Sequence, residues 1–166
     1  MIKEKFKPKT KKASTYEPVA HDMPRSLPTG TYLVNNLNYD TNWFAGELKI
    51  VNTLQYDAVV TLTSITDTRT PLLSIYVRSG DGCHITGIDS GLIYSMYYMS
   101  GYDWDETLMR FSHTKSYKVF TNWFLFLDTD YKVTMQPVTG DNEYSRSVKE
   151  SEFPMLMARL YTQYTV

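Results

Sequence analysis

The feature that most constrains this chain is a series of short runs in which apolar and polar residues alternate with a period of two. Gly46 to Asn52 places Leu48 and Ile50 on one face and Glu47 and Lys49 on the other. In the next run Ala58, Val60 and Leu62 share a face, with Thr61 and Thr63 opposite. Leu73, Ile75 and Val77 then alternate with Ser74, Tyr76 and Arg78. Successive side chains of a strand point to opposite sides, so each run predicts a strand with one face against a core.

Further strands follow from the same pattern. Thr31 to Val34 opens the series. Cys83 to Ile88 follows the turn Arg78-Ser79-Gly80-Asp81-Gly82, and Leu92 to Met99 follows Asp89-Ser90-Gly91. Val119 to Leu127 is apolar or aromatic on both faces apart from Thr121 and Asn122, which predicts a central, covered strand. Lys132 to Val138 closes the series, and Glu152 to Tyr164 is either a short helix broken early by Pro154 or one more edge strand. No helical stripe interrupts the middle of the chain, which argues against βαβ units. The expected architecture is all-β: an antiparallel two-sheet sandwich of about seven to nine strands, immunoglobulin-like or prealbumin-like.

A chain of 166 residues has room for one such domain. Its 14 Tyr, 7 Phe and 3 Trp suit a pleated, half-buried surface. The first 28 residues are different: Pro8, Pro18, Pro24 and Pro28 oppose helix and central strand alike. They predict an extended arm, followed by a sandwich domain over residues 29–166. Lys3, Lys5, Lys7, Lys9, Lys11 and Lys12 crowd the arm, although the whole chain has a formal charge of only −1. Such an arm can contact nucleic acid, an anionic surface or an acidic protein, or simply be a solvated tail. A lone cysteine, Cys83, excludes an internal disulfide and multi-cysteine metal or redox motifs. No signal-peptide core and no apolar run near the ~20 residues of a transmembrane helix is visible, so the expected location is the cytoplasm, or an assembly built there.

The order of motifs resembles a family of mostly bacterial β-domain proteins. The resemblance is carried by Gly46-Glu-Leu-Lys-Ile-Val-Asn-Thr, Tyr56-Asp-Ala-Val-Val-Thr-Leu, His84-Ile-Thr-Gly-Ile-Asp-Ser-Gly, Gly101-Tyr-Asp-Trp-Asp and Val133-Thr-Met-Gln-Pro-Val-Thr-Gly. It spans residues 28 to 156 and implies a β-domain without implying an activity. The element from Ser79 to Tyr98 is also similar to carboxypeptidase regulatory-like and prealbumin-like sandwiches. It departs from them in having Ser90 at the turn's proline position and its tyrosine at Tyr94.

Four groups of residues invite chemistry. His21, His84 and His113 are scattered, and Cys83 and His84 are adjacent, which sends them to opposite faces of a strand and disfavours a dyad. Asp103, Asp105 and Glu106 have the spacing of a calcium loop or of a plain charged turn. Asp128 and Asp130 have the same ambiguity. Tyr94, Tyr98, Tyr102 and Trp104 form an aromatic series that either stacks on a ligand from a solvated face or packs a core, with Tyr97 on the reverse face.

These readings predict a non-enzymatic interaction module that binds another macromolecule, with no cofactor, metal or catalytic residues. The candidate binding set is Tyr94, Tyr98, Tyr102, Trp104, Asp103 and Asp105, with the arm lysines as further contacts. Three alternatives stand beside it. The chain is a subunit of a virion or filament whose arm lies on a neighbour, a carbohydrate-binding module, or an enzyme built on the Asp103/Asp105 loop.

Overall fold

The computed structural model describes residues 25–39, 45–137 and 144–157. Ten strands lie among these residues: β1 (Tyr32–Asn35), β2 (Gly46–Asn52), β3 (Asp57–Ser64), β4 (Leu73–Val77), β5 (Gly82–Ile88), β6 (Ile93–Asp105), β7 (Arg110–Phe120), β8 (Phe124–Leu125), β9 (Tyr131–Met135) and β10 (Ser145–Ser147). They form two sheets, as the alternation predicts. The larger runs β1-β4-β3-β6-β7-β10, with β8 also beside β6, and every pair in it is antiparallel. The smaller runs β5-β2-β9.

One pairing departs from the antiparallel expectation: β2 and β9 are parallel, Leu48 opposite Tyr131 and Asn52 opposite Met135. The reason lies in how the chain enters β9. The turn before it meets β2 at that strand's first residues, where the Glu47 N–H donates to the Asp130 carboxylate at 3.0 Å. Both strands therefore start at the same end. Gly46 permits the approach, since a Cβ there would overlap the Thr129 carbonyl oxygen and Phe126.

The first core fills the space between the sheets. Leu48, Ile50, Val60, Leu62, Ile75, Ile85, Tyr94, Met96, Tyr98 and Phe126 meet there. Asn52 ties the sheets together at one end. It is fully buried, its amide donates to the carbonyls of Tyr56 and Val77 at 3.0 Å, and its side-chain oxygen accepts from the Leu54 N–H. A buried amide satisfied on both sides is costly to replace.

A second core lies on the outer face of the larger sheet. Val59, Tyr76, Tyr97, Met99, Trp104, Phe111 and Val119 form it, and among the described residues no sheet covers it. Leu27, Leu33 and Val34 pack on it from the start of the chain, and Val148, Phe153, Met155 and Leu156 from its far end. The larger sheet is thus buried on both faces. That is why Thr61, Thr63 and Ser74, polar by pattern, are fully buried. Thr61 and Ser74 satisfy each other at 2.8 Å.

Residues 25–28, placed in the arm by sequence, are bound to this domain. Arg25 Nε contacts the Asp103 carboxylate at 2.9 Å, and the Trp104 N–H donates to the Arg25 carbonyl at 3.0 Å. Ser26 Oγ donates to Asp57 at 2.7 Å, beside the Tyr76 hydroxyl at 2.6 Å on the same oxygen. Arg78 Nε reaches the Leu27 carbonyl at 2.8 Å. The lysines at 3, 5, 7, 9, 11 and 12 lie outside the described residues, as do His21, Trp43, Phe44 and the chain beyond Met157.

The run from Val119 to Leu127 is divided rather than one central strand. Val119 and Phe120 end β7, residues 121–123 leave the ladder, and Phe124–Leu125 resume it against the start of β6. Of the run from Glu152 to Tyr164 only residues 152–157 are described: one 3-10 turn, Glu150–Glu152, leads to extended chain at Phe153. Among the described residues no helix is long and apolar enough to cross a membrane.

Candidate functional site

The aromatic series of β6 belongs to the interior. Tyr94 and Tyr98 are 1% and 3% exposed in the first core, and Trp104 is 1% exposed in the second. Their rings are spent on other rings: Tyr94 on Phe126 at 5.7 Å, Tyr98 on Phe120 at 5.4 Å, and Trp104 on Phe111 at 5.1 Å. They present no solvated platform, because β6 is the central strand of a sheet covered on both sides. Burial also pushes the Tyr94 hydroxyl up to about 12.

Simple alternation separates Tyr94 and Tyr98 from Tyr97, as the pattern predicts, but Trp104 breaks it by joining Tyr97 in the second core. The exchange occurs where pairing with β7 slips by one residue between Ser100 and Gly101, and where Asp103 adopts a left-handed φ of 63°. A Cβ on Gly101 would overlap the His113 carbonyl oxygen and Phe111.

Tyr102 differs from its neighbours. It is 37% exposed, lies flat on His113 with ring centroids 4.7 Å apart, and stacks on Tyr56 at 6.1 Å. Lys115 Nζ stands 5.6 Å from the ring centres of both tyrosines. This cationic stack lies away from the cleft described below.

The acidic residues do not converge. Asp103 is engaged by Arg25, whose hydrogen bond holds the carboxyl below its ordinary value. Asp105 accepts the N–H groups of Thr107 and Leu108 and so shapes its own turn. Among the described residues no three His, Cys, Asp or Glu side chains are grouped to hold a metal ion. Cys83 and His84 do point apart: Cys83 packs towards the first core, where burial raises its thiol to about 11, and His84 meets Glu47 outside at 2.8 Å.

A cleft of about 660 Å³ lies between β9 and the β7–β8–β10 margin. Trp123, in the break between β7 and β8, is 65% exposed, and Tyr144, just before β10, is 60% exposed. Both line the cleft. Their backbones are held near one another, since the Thr121 N–H donates to the Tyr144 carbonyl at 2.9 Å. Below them the rings of Phe120, Phe124 and Tyr131 pack edge to face, at 6.4 Å for the first pair and 5.0 Å for the second. The Tyr131 hydroxyl accepts from the Leu125 N–H at 3.3 Å and donates to the Leu125 carbonyl at 3.2 Å, clipping one sheet to the other. At the other end Thr53 holds the Met135 carbonyl through both its N–H and its hydroxyl. The floor is therefore fixed, and Asn122, Lys132, Thr134 and Gln136 supply polar groups around it.

Neither Trp123 nor Tyr144 stands out in sequence. Trp123 sits in an apolar run that predicts burial, and the available signal was the polar pair Thr121-Asn122 interrupting it. Tyr144 lies in a polar stretch, 21 residues away along the chain. No protein-family profile, no curated protein and no solved structure matches this chain.

Proposed function

We propose that this chain is a binding module rather than a catalyst, and that it holds another macromolecule in the cleft between β9 and the rings of Trp123 and Tyr144. The observation that carries this is the exposure of both rings over a rigid aromatic floor. Leaving a large apolar side chain in water forgoes roughly 1.5–3 kcal/mol of burial. A ligand seated between these rings recovers that energy, and two neighbouring aromatics on fixed backbone lose little rotamer freedom on contact. Exposed rings grouped in a concavity are the pattern of an interaction site, whereas single exposed apolar residues are ordinary.

The test is a comparison of the intact protein with Trp123→Ala, screened against a peptide display library and a glycan array. The expected result is a set of binders that the variant loses while keeping its melting temperature. Binders retained in full by Trp123→Ala would place the interaction elsewhere, with the Tyr56–Tyr102–His113 stack the next surface to test.

A further inference from the structure

We infer that the ligand of the cleft is a neutral carbohydrate chain, an inference that rests on the cleft being the binding site. Three observations favour this class. The first is the combination of lining groups. The C–H face of a pyranose is apolar and rigid and covers an aromatic ring, while its rim of hydroxyls needs neutral donors and acceptors. Trp123 and Tyr144 supply exposed aromatic side chains, and Asn122, Thr134 and Gln136 supply amides and a hydroxyl beside them.

The second is charge. Lys132 is the one charged side chain among the described lining residues. A polyanion such as nucleic acid is normally met by several cations, and a charged peptide by complementary ones, features that the described lining residues do not supply.

The third concerns the edge of the smaller sheet. β9 is the last strand of that sheet among the described residues, and a peptide could in principle add to it. Lys132 stands exposed as the second residue of this five-residue strand. A lysine on a short edge strand is the usual device that discourages such addition. A sugar chain needs no backbone ladder and is not hindered by it.

The experiment is affinity electrophoresis of the full chain through gels containing cellulose-type β-glucan, xylan, mannan or starch, with soluble chitin oligosaccharides tested by calorimetry. Trp123→Ala, Tyr144→Ala and Gln136→Ala are run beside it, and a peptide display library is screened in parallel. The expected result is retardation by at least one polysaccharide, weakened about tenfold or more in Trp123→Ala and in Tyr144→Ala, with unchanged melting curves. Trp123→Phe should keep part of the retardation, since it keeps a ring. Peptide binding that depends on Trp123, with no retardation by any polysaccharide, would overturn the carbohydrate assignment and leave the cleft standing as the site. Retardation equal in all variants, or no ligand of either class, would overturn both.

Discussion

Two tryptophans of this molecule have opposite fates. Trp104 lies in β6 and is enclosed by Tyr76 and Phe111, its indole N–H buried without an acceptor among the described residues. Trp123 lies in a three-residue interruption of the neighbouring strand line and stands in water. Residue type and flanking sequence would have suggested the reverse: Trp104 has carboxylates on both sides, and Trp123 is followed by four apolar residues. The difference is made by the neighbours of each backbone position. β6 has strands on both edges and a packed layer on each face, while residues 121–123 leave the ladder beside the cleft.

The comparison can be broken most severely at its buried end. Trp104→Ala should cost about 3–5 kcal/mol, the range for removing a large buried aromatic. Chemical denaturation would measure it, and a loss below about 1 kcal/mol would mean that the second core is not cooperative with the first. Asn52→Ala should follow at roughly 2–3 kcal/mol, since it leaves one buried carbonyl, a half-buried carbonyl and a half-buried N–H without their partner.

The segment that covers Trp104 gives a sharper test. Deleting residues 1–28 should lower stability by about 2–3 kcal/mol, because hydrogen bonds from Arg25, Ser26 and Leu27 go with it. Deleting residues 1–24 keeps those bonds and serves as the comparison for that loss. The shorter deletion is also the proper one for asking, by light scattering, whether the lysine-rich arm drives self-association. A protein that loses its oligomers with residues 1–24 would bring the assembly-subunit alternative forward.

Alkaline titration separates buried from exposed rings. Tyr94 has a folded pKa raised from 10.0 to about 12, so its contribution to stability is complete below pH 10 and is lost as pH rises towards 12. Absorbance at the phenolate band should show a late-ionising class, and a Tyr94→Phe variant should soften the loss of stability in that window. The smallest effect belongs to the exposed end: Trp123→Ala should change stability by less than about 0.5 kcal/mol while removing ligand binding. A large drop in melting temperature would assign Trp123 to packing.

Much of the sheet structure was legible in sequence because one-sided burial leaves a period-two trace. Leu48 and Ile50 face inward and Lys49 outward, and the bounds of β2 match the run from Gly46 to Asn52. Tyr94 and Tyr98 part from Tyr97 as alternation requires. The trace failed where its physical premise failed. From Arg110 to Lys118 β7 carries polar residues at both parities, because much of that stretch is exposed, and no alternation marks it. The slip at Ser100–Gly101 and the left-handed Asp103 reverse the faces of β6, so Trp104 could not be placed by counting. The cleft was not legible at all. It joins a break in one strand line, the start of β10 and the edge of β9, and period-two patterns fix faces but not neighbours.

The covering of the second core has a consequence for how the chain is made. A ribosome delivers the amino end first, yet the outer layer over Tyr97 and Val119 is supplied by residues 148–156, with Phe153 against Tyr97 at 5.8 Å. Until residues 148–156 have left the exit tunnel, the nascent sheet presents an aromatic surface that Leu27, Leu33 and Val34 cover only in part. Such surface invites association with other chains, and long-range closure is slow to relieve it. Yield in a cell should therefore depend on chaperone capacity while residues 148–156 are awaited more than on the stability of the finished fold.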